Sequence, residues 1–144
     1  MIRKASIKVC GLHNSEVYDE DENIEVISIG TYSKRNGTHF IKYDDQTTEP
    51  EGVHHNLIKI APQQIEIITR GSTTTHMVFR IGEKVTTYYA TPFGSMNIGV
   101  DTYDVNMSED ENRISVDISY GLEVNLDYVA ECKVHMEIEM LEEA

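Results

Sequence analysis

The chain has 144 residues, 40% of them apolar, which suits a single domain, 1–144, around one core. No stretch approaches the roughly 18 consecutive apolar residues of a membrane helix. The 25 acidic residues outnumber 12 basic ones, for a net charge of −13, which argues against nucleic acid and anionic membrane as partners, because neutralising phosphates takes a basic patch.

Alternation at period two dominates, in short runs rich in Ile, Val, Thr and Tyr, and helical spacing is nearly absent. The first run is Lys4 to Leu12, followed by an acidic connection containing Asp19-Glu20-Asp21-Glu22. The second is Ile24 to Lys34. Asn36-Gly37 then gives the strongest short hairpin signal, since both residues tolerate the positive φ of a type I′ turn. The third run is Thr38 to Asp44, and Asp45 to Gly52 reads as a polar loop. The fourth is Val53 to Ile60, turned by Ala61-Pro62-Gln63. The fifth is Gln64 to Arg70, broken by Gly71, and the sixth is Thr73 to Ile81, turned by Gly82-Glu83. The seventh is Lys84 to Thr91, turned by Pro92-Phe93-Gly94. The eighth is Ser95 to Val105, with an acidic turn at Ser108 to Asn112. The ninth is Arg113 to Val124, turned at Asn125-Leu126-Asp127, and the tenth is Tyr128 to Leu141.

Short connections force consecutive strands to be antiparallel neighbours. A meander this long has two open edges unless it closes on itself. The expected fold is therefore all-β: a closed or nearly closed antiparallel up-and-down barrel of about eight to ten strands. The ninth run shows the pattern best, with Ile114, Val116, Ile118, Tyr120 and Leu122 on one face and Ser115, Asp117, Ser119 and Glu123 on the other.

Pointing the apolar parity inward brings hydroxyls with it. Met77, Phe79 and Ile81 carry Thr75 along, Ile65 and Ile67 carry Thr69, Val85 carries Thr87 and Tyr89, and Met96, Ile98 and Val100 carry Thr102. Hydroxyls on an apolar wall suit a wet ligand cavity or a core in which each finds a partner. Thr69, Thr75, Thr87, Tyr89, Thr102 and Tyr120 are the candidate ligand contacts, and Met77, Phe79, Tyr89 and Met96 are the side chains that would plug a filled barrel.

Two patterns have metal-like spacing, Cys10-Gly-Leu-His13 and Cys132-Lys-Val-His135. On a regular strand residues three apart face opposite ways, so neither pair converges, and no metal site is expected. His54-His55 should likewise split, one in and one out. Two cysteines are too few for a disulfide framework. The N-terminal segment has no apolar core for a secretion signal, so the expected setting is cytoplasmic. No nucleophile elbow, phosphate loop or metalloprotease motif occurs, which argues against an enzyme and gives no reason to expect a cofactor.

The ordered set Gly30-Thr-Tyr32, Asn36-Gly37, Phe40-Ile-Lys-Tyr43, Ile58-Lys-Ile60, Gly71, Met77-Val-Phe79, Gly82, Tyr89-Ala-Thr91-Pro92-Phe-Gly94 and Thr102 resembles the YwiB-like family of small bacterial proteins of unknown function. The resemblance covers nearly the whole chain. It implies a lipocalin-type (calycin) barrel in a bacterial cytoplasm and brings no catalytic residues. One departure is local: where members often carry an arginine two residues before the glycine that ends the fifth strand, this chain has Thr69, with Arg70 one residue along and so on the other face. Two readings of function remain. One is a non-catalytic barrel holding a small, partly apolar molecule; the other is an interaction or homo-oligomeric module with a filled barrel and an acidic surface.

Overall fold

The computed structural model describes residues 2–10, 25–46, 53–71, 74–91 and 94–141. They form ten strands: β1 (Arg3–Cys10), β2 (Glu25–Arg35), β3 (Thr38–Gln46), β4 (Val53–Ala61), β5 (Gln64–Arg70), β6 (Thr74–Phe79), β7 (Lys84–Thr91), β8 (Gly94–Glu109), β9 (Arg113–Val124) and β10 (Asp127–Met140). Each pairs antiparallel with its neighbours in sequence, and β1 pairs with β10 from Ala5↔Met140 to Cys10↔His135, which closes the ring. The expected all-β, up-and-down architecture is the one observed.

Turn chemistry sets the register. Asn36 and Gly37 have φ of 53° and 80°, and Asn125 and Leu126 have 51° and 74°, the positive pair that a tight two-residue hairpin requires. At Gly30 the backbones of β2 and β3 come so close that an added Cβ would collide with the Lys42 carbonyl oxygen. The inward parity of every strand feeds one core, with Ile7, Ile41, Ile58, Ile67, Phe79, Ile114, Tyr120 and Ile138 fully enclosed.

Four sequence expectations need correction. The eighth strand does not end at Val105. A bulge between Thr102 and Asp104 adds Tyr103 and reverses the parity, so the strand runs on to Glu109 with Val105 and Met107 on the inner side, consuming Ser108 and Glu109 from the expected turn. The sixth strand stops at Phe79, and Ile81 is exposed in the following turn. Met96 is exposed near the start of β8 rather than plugging the barrel. Finally, β3 extends to Gln46, two residues into the expected loop; the rest of that loop, like the Asp19–Glu22 run, His13 and Pro92-Phe93, lies outside the described residues.

The ring is uneven. β6 pairs with β7 only at Thr74↔Ala90 and Thr75↔Tyr89, and below that point the two strands separate. β7 accompanies β8 only as far as Lys84↔Asp101, while β9 follows it to Glu109↔Ile114. The turn between β6 and β7 is tied to β8 at Thr102, whose carbonyl accepts from Gly82 N at 3.0 Å and whose N–H donates to Glu83 O at 3.4 Å. Beyond Thr102 the wall between β8 and the β4–β5 hairpin has no ladder among the described residues.

Candidate functional site

The six sequence candidates fall into separate groups. Thr69, Thr75 and Tyr89 sit side by side on β5, β6 and β7, joined by the register pairs Thr69↔Thr75 and Thr75↔Tyr89, and all three are half-buried. The row continues into β4 through Asn56, opposite Thr69. Asn56 is buried, and its Oδ1 accepts from the Thr69 hydroxyl at 2.8 Å. A buried amide with a donor supplied across the ladder is a satisfied polar pair, so Thr69 is engaged by the protein itself. Arg70, by contrast, is exposed. Where the resemblance leads one to expect an arginine, this chain therefore has a threonine held in a neutral hydrogen bond.

Thr102 and Tyr120 form a second group, deeper and on the opposite wall. Thr102↔Tyr120 and Tyr120↔Cys132 are consecutive register pairs across β8, β9 and β10. Tyr120 stacks edge-on against Phe79, with ring centroids 5.1 Å apart at 69°, and its hydroxyl engages the Cys132 thiol. Burial, and to a lesser degree that thiol, raise the Tyr120 hydroxyl above the ordinary tyrosine range. The Thr102 hydroxyl is buried with no hydrogen-bond partner among the described residues. Thr87 stands apart, because its hydroxyl donates to the His76 carbonyl where the β6–β7 ladder gives out. The barrel axis is thus occupied by Phe79, Tyr120 and the aliphatic core, with Met77 and Tyr89 packed against it.

Open volume lies elsewhere. A cleft of about 710 Å³ enters through the unpaired part of the wall. Ile65, Phe79, Ile81, Val105 and Met107 give it an apolar lining, and Gln63, Gln64, Arg80 and Glu83 supply polar groups. Its size is that of a small-molecule site. Sequence reasoning missed it because its two sides come from the shortened β6 and the lengthened β8, and the bulge at Tyr103 that lengthens β8 has no side-chain signature.

A second polar cluster lies at the other end of the barrel from Asn56. The Tyr32 hydroxyl is 2.7 Å from His39 Nδ1, and Glu109 Oε1 is 3.4 Å from His39 Nε2. Lys34 reaches the other Glu109 oxygen at 3.9 Å. Burial lowers the His39 pKa, with Lys34 adding to the effect and Glu109 opposing it. The signal for His39 and Asn56 was their parity: each shares a face with Ile41 or Ile58 on its own strand.

Of the metal-like spacings, His13 lies outside the described residues, and Cys132 and His135 point to opposite faces of β10. Cys132 is buried with the inward set of β10, while Cys10 shares the outer face of β1 with Lys8 and lies opposite His135. Neither cysteine is in a disulfide among the described residues. His135 Nδ1 is instead 2.7 Å from Asp117 Oδ1. His54 and His55 split as alternation demands: the His54 ring covers Gly71, and His55 is exposed with Nδ1 2.8 Å from Asp44 Oδ1. No group of three metal-binding side chains occurs among the described residues, and none of the described helices or strands is a helix long and apolar enough to cross a membrane.

Comparison with known proteins agrees with the fold and adds no activity. A search of curated proteins finds no match. The crystal structure of the ywiB protein from Bacillus subtilis is similar at a TM-score of 0.73, over 98% of this chain and 92% of that one, with 15% sequence identity. The family described as a domain of unknown function, DUF1934, matches residues 7–136, from the middle of β1 to the middle of β10. With the pattern spanning the ring from one closing strand to the other, the chain belongs to the DUF1934 family.

Proposed function

We propose that this protein is a non-catalytic binding barrel of the cytoplasm, and that its ligand, a partly apolar molecule, is held in the lateral cleft rather than along the barrel axis. The observation that carries this reading is the cleft itself, about 710 Å³ opening where the wall has no ladder and reaching Ile65 and Phe79 of the core. An apolar floor with a few polar groups at the rim is the usual chemistry of a small-ligand site. The packed axis counsels against an interior cavity, since Phe79 and Tyr120 occupy it. On this reading the Thr69–Asn56 pair and the Thr87 hydroxyl hold the wall together, and Thr102 ties down the turn that bounds the cleft. The net charge of −13 disfavours phosphate-bearing partners.

Native mass spectrometry of freshly purified protein is the first test, with a neutral fluorescent probe, N-phenyl-1-naphthylamine, as the second. Ile81 and Met107 are exposed at 59% and 45%, so Ile81→Asp and Met107→Asp should change stability by no more than about 0.5 kcal/mol. Both should abolish probe binding. Probe binding that survives both substitutions would move the ligand away from the cleft.

A further inference from the structure

The cleft has a backbone side as well as an apolar floor. β8 continues from Asp104 to Glu109 with β9 along one edge and, among the described residues, no strand along the other. A strand edge of this kind presents a row of N–H and C=O groups that only another extended backbone can match. Natural edges are blunted by lysine, proline or an inward charge; Asp104-Val105-Asn106-Met107-Ser108 has none of these, and the inward charge at the far end, Glu109, is turned to His39. Its inward side chains, Val105 and Met107, instead belong to the cleft lining together with Ile65 and Phe79.

We propose that this edge is an acceptor for an extended peptide strand from a partner protein, with apolar side chains on one face and basic side chains on the other. The inference rests on the cleft being the binding site and names the class of ligand that fits it. Alternation follows from the pleat: residues on one face of an added strand would meet Val105 and Met107, and the next would lie beside Asp104 and Asn106. The basic character follows from charge. Asp104 is exposed on the open edge, Asp117 lies opposite Asn106 on β9, and Glu83 stands at the cleft rim. Of the nearby cations, Lys34 is paired with Glu109, while Arg80 keeps its charge at the rim and is held there by the Gln64 amide oxygen. A second copy of the chain is disfavoured, because each copy carries a net charge of −13 and two such bodies repel. The open stretch spans roughly 20 Å at ~3.3 Å per residue, a full strand's length.

The test uses the intact protein, isotope-labelled, and a short capped peptide alternating valine with lysine or arginine. Binding should slow amide hydrogen exchange at Val105 and Met107, whose N–H groups face the open edge, by at least about tenfold, displace N-phenyl-1-naphthylamine, and weaken as salt rises. Methylating alternate backbone nitrogens of the peptide keeps its side chains and charge but removes the edge bonds, and should cost at least about tenfold in affinity. Asp104→Lys should weaken the basic peptide and strengthen an analogue carrying glutamate. Equal binding of the methylated peptide overturns the proposal, as does a dimer whose Val105 and Met107 amides are protected without peptide. If the fluorescent probe binds and the peptide does not, the strand acceptor fails and the small-ligand reading stands. If neither binds, both fail.

Discussion

The Tyr32 hydroxyl and the His39 imidazole, both buried, meet at 2.7 Å, with the Glu109 carboxylate 3.4 Å from the far side of the ring. A neutral imidazole with its proton on Nε2 satisfies all three groups: Tyr32 donates to Nδ1 and Nε2–H faces the carboxylate. Protonating the ring would put a second hydrogen against the Tyr32 hydroxyl and a charge in a desolvated place.

This arrangement gives a pH dependence with a definite sign. The folded His39 pKa lies below its ordinary value because of burial first. Between the folded pKa and about 6.5 the unfolded chain binds a proton that the folded chain refuses, so stability is lost as pH falls below about 6.5. His39→Gln should show a shallower loss between about pH 7 and pH 5 in urea titrations. Identical slopes for the two proteins would remove His39 as the cause. Tyr32→Phe should cost about 1–3 kcal/mol at neutral pH, since Nδ1 would be left buried without its donor.

Gly30 has no tolerance for a side chain. Gly30→Ala should destabilise by at least about 3 kcal/mol or prevent folding, because the obstruction is the Lys42 carbonyl of the neighbouring strand and not a movable side chain. Gly99→Ala is the matched control. There the nearest atom is the Glu123 Cβ at 3.3 Å, and the cost should be much smaller. Equal thermal midpoints for the two variants would contradict the close approach of β2 and β3.

Thr69 and Asn56 should behave as a unit. Thr69→Val keeps the shape but removes the donor to Asn56 Oδ1, at an expected cost of about 1–3 kcal/mol. In the Asn56→Leu background the same change should cost little. A double-mutant cycle with no coupling would show that water supplies the missing donor.

The two thiols should differ sharply in reactivity. Cys132 is 4% exposed beside Tyr120, whereas Cys10 is half-exposed on the outer face of β1. Iodoacetamide should label Cys10 in the native protein and reach Cys132 only on unfolding. Peptide mapping after brief labelling checks this, and equal labelling of both would contradict the closed β9–β10 wall.

Much of the fold was legible because alternation and turn residues agree along most of the chain. β5, β7 and β9 have the expected bounds, and Asn36-Gly37 has the expected backbone. The departures share a cause. A single extra residue at Tyr103 inverts every later side chain of β8, so Val105 and Met107 remain inside although the simple parity broke there. β6 loses β7 after Thr75 and ends at Phe79, where its pairing with β5 runs out at Ile65, a non-local limit that its own residues do not encode. The candidate hydroxyls were placed on the correct face, yet their partners lay on other strands. Thr69 meets Asn56 and Thr87 meets the His76 carbonyl, contacts that only the assembled sheet reveals.

Ring closure through Ala5↔Met140 has a consequence for biosynthesis. The seam joins the first strand to the last, so it cannot form until β10 has left the ribosome. Until then β1 waits with one edge unpaired and apolar side chains on one face, including Ile7 and Val9. A nascent chain in that state is exposed to chaperones and to misassembly with its neighbours on the same message.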